Sequence, residues 1–520
     1  MKTEGHPLEL ENRTLREQLA VVKNALQSAL RDKQIAEERL ARWLRRYFGR
    51  KSEKIDPSQL RMPFEELVEI AEAQAEPSTP EHAREAADDE AGTRAPKPRK
   101  KGAHGRKPLP SSLPRERVEH DVEPEDRSCF SCKREKQRIG EEITEELEYV
   151  PASFKEIEHV RPKYACKHCQ EGVVIAELPA RVIEKGRPGP GLLAFILTAK
   201  YCDHLPLHRL EGIIARSGLE ISRSTMCEWV SRSVESLRGI GEALRTSVLC
   251  SSVLHGDDSG IQCLENFARA QPRDGYLWAY VGDRDEVVYD FTLSHARASP
   301  NEFLAGWEGK LQADGHTCWE DLYRDGAVVE VGCWAHARRY FFEAIPSHTE
   351  RASRVVALIQ RMYAVEKRAK AEKILPGELL ALRRAESAPI LAEIRKLIDE
   401  YAKDTLPKSG LGEALTYATN QWEALGRFVD DPELDIDNNA AERALRMVAV
   451  GRKNWLFAGS PEGGRRAALI YSLVGSCKLL GIDPFAYLRD VLARVAAHPA
   501  SRIAELTPRG WKQARAAQLA

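Results

Sequence analysis

Ser252-Val253-Leu254-His255-Gly256-Asp257 opens a run of strand-like sequence that stops at acidic residues, and the same texture continues beyond it. Tyr276-Leu277-Trp278-Ala279-Tyr280-Val281 and Val287-Val288-Tyr289-Asp290-Phe291 are apolar and rich in β-branched and aromatic residues. Gly309-Lys310-Leu311-Gln312-Ala313 then runs directly into Asp314. Strands followed by carboxylates in this order predict an α/β core of the nuclease type, with the first acid in the first strand and the second closing the fourth.

A third acid comes after a long helical stretch over 347–429. In Asp437-Asn438-Asn439-Ala440-Ala441-Glu442-Arg443-Ala444-Leu445-Arg446, Asp437 or a neighbouring asparagine is suited to cap a helix that holds Glu442. The separations are 314 − 257 = 57 and 442 − 314 = 128 residues, so only tertiary folding brings these groups together. Three gathered carboxylates are hard oxygen ligands of the kind that hold Mg2+ or Mn2+, and paired ions of this type assist phosphodiester displacement. Without metal, mutual repulsion predicts at least one raised pKa. Neighbouring strand residues face opposite sides, so one of Asp257 and Asp258 serves the site; Asp257 is the first choice and Asp258 the reserve. Any one of these acids taken alone reads equally well as a turn or cap residue.

Outward from this core, 520 residues predict two to four folded units. A net charge of −1 conceals acidic and basic clusters in different stretches. Eleven cysteines, with a start that runs into charged helical sequence, read as a reducing cytoplasm rather than a disulfide framework. The apolar runs fall well short of the roughly twenty residues a membrane span needs, so no membrane role is expected.

Near the start, Leu15, Leu19, Val22, Leu26, Ala29, Ala36, Leu40 and Trp43 recur in steps of three and four, interrupted by Asn12 and Lys33. This is a coiled-coil seam whose polar breaks fix register, and it predicts a homodimer or higher assembly. Charged, Pro- and Ala-rich sequence over 76–105 reads as a disordered linker ending in the basic stretch 97–108, suited to phosphate contact. Cys129-Phe130-Ser131-Cys132 and Cys166-Lys167-His168-Cys169 supply four thiolates with the spacing of a structural Zn2+ site, leaving no open position for catalysis. Between them, alternation at Ile143, Leu147 and Tyr149, then at Phe154, Ile157 and Val160, predicts a hairpin that joins the knuckles. The other seven cysteines read as small buried apolar residues.

Over 192–237 two helical runs flank a break at Ser217-Gly218-Leu219-Glu220-Ile221-Ser222, in the manner of a helix-turn-helix, with Ser222 or Ser224 as the cap of the second helix. Around Glu442 the chain is basic: Arg443, Arg446, Arg452, Lys453, Arg465 and Arg466, with Trp455 and Phe457 interleaved. Guanidinium groups suit phosphates and an aromatic face suits an unpaired base, so Arg443, Arg446, Arg452, Lys453 and Trp455 are the expected DNA contacts. The bland reading of the same stretch is a solvated helix face plus core aromatics.

Five blocks carry a resemblance: Phe48-Gly49-Arg50-Lys51-Ser52-Glu53-Lys54, Asp203-His204-Leu205-Pro206-Leu207, Val331-Gly332-Cys333-Trp334-Ala335-His336-Ala337-Arg338-Arg339, the run from Ile436 to Arg443, and Gly451-Arg452-Lys453-Asn454-Trp455-Leu456-Phe457. In this order, across about 48–490, the chain resembles the large transposase of the insertion-sequence-66 family. The resemblance implies a ribonuclease-H-like fold with an Asp-Asp-Glu triad at Asp257, Asp314 and Glu442, a leading zinc-binding segment, DNA as partner, a place at the nucleoid, and accessory proteins from the same element. The family usually reads Asp-Glu-Thr at the first site, where this chain has Asp257-Asp258-Ser259.

The expected layout is a multidomain α/β chain: coiled coil 1–55, basic linker 56–115, zinc-binding β segment 116–185, helix-turn-helix segment 186–245, catalytic core 246–346 and 431–490 around a helical insertion 347–430, and a tail 491–520. The expected activity is metal-dependent DNA strand cleavage and transfer. A zinc-containing DNA-binding protein with a relic nuclease domain, or a structure-selective nuclease, shares many of these features.

Overall fold

A computed structural model describes residues 153–164, 174–184, 186–264 and 272–519, with scattered helical positions between 16 and 36. The four paired cysteines, the linker and most of the coiled-coil seam lie outside the described residues. The chain divides into two compact units, 77–158 and the rest. In the first, residues 153–158 are extended and exposed. Phe154, Ile157 and Val160, expected in a strand, carry no regular structure and are 38%, 63% and 79% exposed. Alternation makes a strand where one face has a core to bury, and among the described residues these side chains join no apolar cluster. In the second unit, Lys163–Tyr164 and Val174–Ile175 form a two-residue antiparallel ladder, which Arg161 Nη1 extends by donating to Ala176 O at 3.1 Å. At the seam positions that are described, Leu19 and Val22 are exposed on a helix.

Three helices lead into the sheet: α1 (Pro190–Tyr201), α2 (Leu207–Ala215) and α3 (Arg223–Val248). Gly218, at φ +78°, turns the chain between α2 and α3 in the left-handed region that glycine tolerates best. Ser222 Oγ then accepts the Thr225 N–H at 3.2 Å and caps α3.

Six strands come next: β1 (Val253–Leu264), β2 (Pro272–Gly282), β3 (Val287–Thr292), β4 (Gly309–Gln312), β5 (Val328–Val331) and the late, short β6 (Phe457–Ala458). Their order is β3-β2-β1-β4-β5, antiparallel on the β1–β2–β3 side and parallel on the β1–β4–β5 side, with β6 alongside the far end of β1. β1 does not stop at its acidic residues as expected. It continues to Leu264, because β2 reaches back far enough to pair Gly260 with Tyr276 and Leu264 with Pro272.

The helical stretch after β5 comprises α4 (Trp334–Ala344), α5 (Thr349–Glu372), a short helix and π turn, α6 (Ala388–Tyr401) and α7 (Gly410–Asn420). Its apolar core around Trp334, Phe341, Ile359, Ile394 and Phe428 also takes in Val253 of β1 and Val331 of β5. The chain returns to the sheet as α8 (Asn439–Trp455) and α9 (Pro461–Leu479), and ends in α10 (Pro484–Arg494) and α11 (Pro508–Leu519). Buried residues of α1, α3, α8, α9 and α10 share a single apolar cluster with the sheet.

α9 also closes the outer edge of β3. Ser472 Oγ and Ser476 Oγ accept the N–H groups of Tyr289 (2.8 Å) and Val287 (3.0 Å). At Gly464 a Cβ would stand 2.6 Å from the Phe291 ring, so glycine lets the helix lie this close. An edge strand that would otherwise offer unpaired donors is thereby satisfied within the chain.

Candidate active site

Parallel pairing of β1 with β4 matches Val253 to Lys310 and His255 to Gln312, an offset of 310 − 253 = 57. Asp257 and Asp314 have the same offset, so the register continued two residues beyond Gln312 sets Asp314 abreast of Asp257. Asp314 is fixed by two donors to Oδ1, the His316 N–H at 3.0 Å and Trp319 Nε1 at 3.2 Å. Asp257 Oδ1 accepts the Asp258 N–H at 2.8 Å.

Glu442 arrives in the first turn of α8, which packs on β1. Asn438, just before that helix, is fully buried and ties it to the strand: Nδ2 donates to Gly256 O at 2.8 Å, and Oδ1 lies 3.2 Å from His255 Nδ1. Asn438 is the N-cap position but makes no side-chain cap bond; the first helical N–H, that of Asn439, is accepted by Asp437 Oδ1 at 3.0 Å. Glu442 Oε1 is buried without a hydrogen-bond partner, and His336 Nε2 stands 3.8 Å from it.

Asp257 registers the convergence electrostatically. Its carboxyl is pushed from 3.8 up to about 8, first by burial, then by Asp314, with Asp258 and Glu442 adding to the effect against the Asp258 N–H hydrogen bond. Burial and the nearby Arg339 guanidinium hold the His336 imidazole below its usual value, opposed by Asp314 and Glu442. That imidazole stays neutral near pH 7 and adds no positive charge beside Glu442. The orphaned Glu442 Oε1, whose carboxylate groups with Cys333 and His336 within 4.8 Å, and the Asp257 carboxyl raised by burial and then by neighbouring acids are groups that a divalent cation can satisfy.

Asp258 takes a different environment. Its Oδ1 lies 2.8 Å from His295 Nε2, and burial raises its carboxyl while His295 opposes the rise. It pairs across the sheet with Trp278, against whose ring His295 stacks. His295 and Asn438 are the residues that motif reading passed over. The Asp437-Asn438-Asn439 run offers only a capping signal, and nothing local marks His295.

Of the expected DNA contacts, Arg443, Arg446 and Lys453 are exposed on α8. Arg452 is exposed as well, but its Nη1 is held by β1, donating to Gly260 O at 2.7 Å and Ser259 Oγ at 3.1 Å. Trp455 is half-buried against the core and lines a cavity of about 270 Å³ together with Lys200, Tyr201, Arg466 and Tyr471. Phe457 is exposed. Backbone strain accompanies this corner, since Leu456 has φ +63° and leaves most of its side chain in solvent. Of the seven remaining cysteines, Cys263, Cys318, Cys333 and Cys477 are buried as expected, Cys202 is half-buried, and Cys227 and Cys250 are exposed. No helix among the described residues is long and apolar enough to cross a membrane.

Comparison with known proteins meets this geometry from the sequence side. The profile described as "Transposase IS66 family" matches residues 185–466, and "IS66 C-terminal element" matches 472–509. "Zinc-finger binding domain of transposase IS66" matches 126–170, which holds all four paired cysteines. A fourth profile, "Transposase C of IS166 homeodomain", matches 36–118, across the end of the coiled-coil seam and the stretch read as linker. Among curated relatives, uncharacterized protein y4hP of Sinorhizobium fredii (strain NBRC 101917 / NGR234) is 33% identical over 438 residues, covering 79% of this chain and 78% of the relative. Uncharacterized protein y4qI of the same strain is 34% identical over 435 residues, covering 79% and 80%. With one family profile across the sheet, the helical insertion and the acid-bearing helix, and relatives matched over most of their length, the chain belongs to the IS66 family of transposases.

Proposed function

We propose that this transposase cleaves DNA strands at the ends of its insertion sequence and joins them to target DNA, with Asp257, Asp314 and Glu442 holding Mg2+ or Mn2+. The observation that carries the reading is the joint action of Asp314 and Glu442 on the Asp257 carboxyl, two acids that lie 57 and 185 residues further along the chain (314 − 257; 442 − 257). The strand order, antiparallel then parallel with acids abreast on β1 and after β4, supports a ribonuclease-H-like core.

When bound, such ions stabilise the charge that develops on phosphodiester oxygens during in-line displacement. The chain's own groups prepare the place. Trp319 and the His316 N–H fix the Asp314 carboxylate, Asn438 locks the start of α8 to β1, and neutral His336 avoids opposing a cation. Arg443, Arg446 and Lys453 present exposed cations along the helix that carries Glu442 for backbone phosphates, while Arg452 braces β1 as it contributes to the same basic field. Trp455 stacks on an unpaired base at a strand end. The exposed first turn of α3 at Arg223 and Ser224 reads duplex DNA, and a zinc ion on Cys129, Cys132, Cys166 and Cys169 organises the segment before it. The coiled coil pairs two protomers so that both element ends are processed together, at the nucleoid and with accessory proteins of the same element.

The test is Glu442→Gln. With magnesium or manganese the wild-type protein nicks or joins oligonucleotides carrying its own element's ends, and the variant binds them without cleaving. Cleavage by the variant at the wild-type rate refutes the assignment.

A further inference from the structure

On the side of β1 that carries Asp258, three metal-binding groups meet from two different loops. Donor atoms of His295, His316 and Cys318 all lie within 4.8 Å of one another. His295 follows β3, whereas His316 and Cys318 follow β4 and Asp314. Its ring is held on two sides, stacked on Tyr276 at 4.6 Å and Trp278 at 5.3 Å, and it meets the His316 ring at 4.8 Å. Its Nε2 is paired with Asp258 Oδ1 at 2.8 Å.

We propose that His295, His316 and Cys318 form a binding site for a borderline-soft transition-metal ion, with Zn2+ the best fit, and that Asp258 is the carboxylate that orients His295. A tetrahedral ion with bonds of about 2.0–2.3 Å spaces its ligands roughly 3.4–3.8 Å apart, so these donors need only a small contraction. Two imidazoles and a thiolate select against magnesium and for zinc or its cobalt substitute. Asp258 accepting the Nε2–H of His295 leaves Nδ1 as the free lone pair, the carboxylate–histidine–metal arrangement that fixes the tautomer of a ligating histidine. His316 Nδ1 accepts the Cys318 N–H at 3.3 Å, which leaves the ring proton on Nε2; the ring ligates through Nδ1, exchanging this long hydrogen bond for a metal bond. Three protein ligands leave one position open, and exposed His316 puts it within reach of solvent. An ion here ties the loop after β3 to the loop after β4, and the His316 N–H on that second loop holds Asp314. The site therefore adjoins the proposed catalytic acids through Asp314, while its ligands are residues outside that triad.

The experiment uses the full chain with Cys129, Cys132, Cys166 and Cys169 all replaced by serine, titrated with Co2+ under excess Mg2+. One equivalent is expected to bind with a thiolate-to-cobalt charge-transfer band. Cys318→Ser should remove the band, His316→Ala should weaken binding at least tenfold, and Asp258→Asn should weaken it about 10–100-fold. In parallel, metal analysis of the chain with its native cysteines should find two zinc ions, falling to one in Cys318→Ser; this arm stands if the fourfold variant does not fold. Absence of a thiolate band together with a single zinc in the native chain overturns the proposal. So does a band that survives Cys318→Ser and disappears in Cys333→Ser, which would assign the ion to Cys333, His336 and Glu442.

Discussion

Replacing Asp257 by asparagine should stabilise the metal-free protein, although it removes the central acid of the site. The folded chain holds the Asp257 proton up to about pH 8, whereas an unfolded aspartate releases it near 3.8. Below 3.8 both states are protonated and the group contributes nothing to the pH dependence. Between 3.8 and 8 the folded state alone keeps the proton, so stability falls steadily as pH rises, and above 8 it levels off. Each pH step within that window corresponds to about 1.4 kcal/mol, so at pH 7 the cost approaches ~4 kcal/mol for a fully enclosed carboxyl. Partial solvent access at Asp257 trims this to roughly 2–4 kcal/mol. Asparagine is neutral at every pH and keeps an Oδ1 to accept the Asp258 N–H, so it escapes the penalty without losing that hydrogen bond. The assay is urea unfolding in EDTA from pH 4 to 9, followed by tryptophan fluorescence, since Trp278 and Trp319 are buried near the acids. The variant should gain on wild type as pH rises, and the gain should plateau above pH 8. Magnesium at a hundredfold excess over its Kd should stabilise wild type by about 2.7 kcal/mol and leave the variant almost unmoved. A wild-type-to-variant difference that is flat from pH 4 to 8, or a variant less stable at pH 7, refutes the account of how these carboxylates interact.

Named contacts set three further outcomes. Arg383 is 2% exposed, pairs with Glu366 through two 2.8 Å bonds and donates to the carbonyls of Phe428, Asp431 and Leu434; Arg383→Ala should cost about 3–5 kcal/mol in denaturant midpoint analysis, because it strands a half-buried carboxylate and three carbonyl acceptors. Asn438→Ala loses the bond to Gly256 O and should cost about 1–3 kcal/mol while lowering strand cleavage by more than DNA affinity, read by comparing gel-shift and nicking assays. Chelation, or Cys129→Ser, should open the segment 118–180 to protease, and an unchanged digestion pattern there would count against structural zinc.

Much of the sheet was legible because its strands are short apolar runs bounded by acids and turns. The fourth strand and Asp314 were readable from Gly309-Lys310-Leu311-Gln312-Ala313 alone. The continuation of β1 past Asp257 was not, since the acidic residues read as the end of the strand and only its partner strand keeps the pairing going. Ser222 as the cap of α3 was legible from local chemistry, but the contribution of α3 to the same apolar core as the sheet was not, because a buried face says nothing about what buries it. Phe154, Ile157 and Val160 show the converse, a strand-like alternation with no core to face. At the site, three acids were nameable by type and context. The pairing of Asp258 with His295 depends on cross-strand stacking that no spacing encodes.

The helical insertion between the second and third acids is a brace as well as a spacer. Asp257 is positioned on β1 by backbone pairing, and Asp314 follows directly on β4, which is paired to β1 in the same register. Glu442 has no such anchor, since it rides on a helix entered from a loop, and its placement is set by whatever holds that loop. Arg383, from the π turn between α5 and α6, grips the 428–434 carbonyls leading into α8. On the other side of the gap, the Tyr417 hydroxyl from α7 donates to Asp314 O at 3.0 Å, so the insertion holds Asp314 itself and the loop that leads to Glu442. The insertion, its core joined to the sheet at Val253 and Val331, thus spans a 128-residue gap in the chain (442 − 314), and loosening its grip on the 428–434 loop should misplace Glu442.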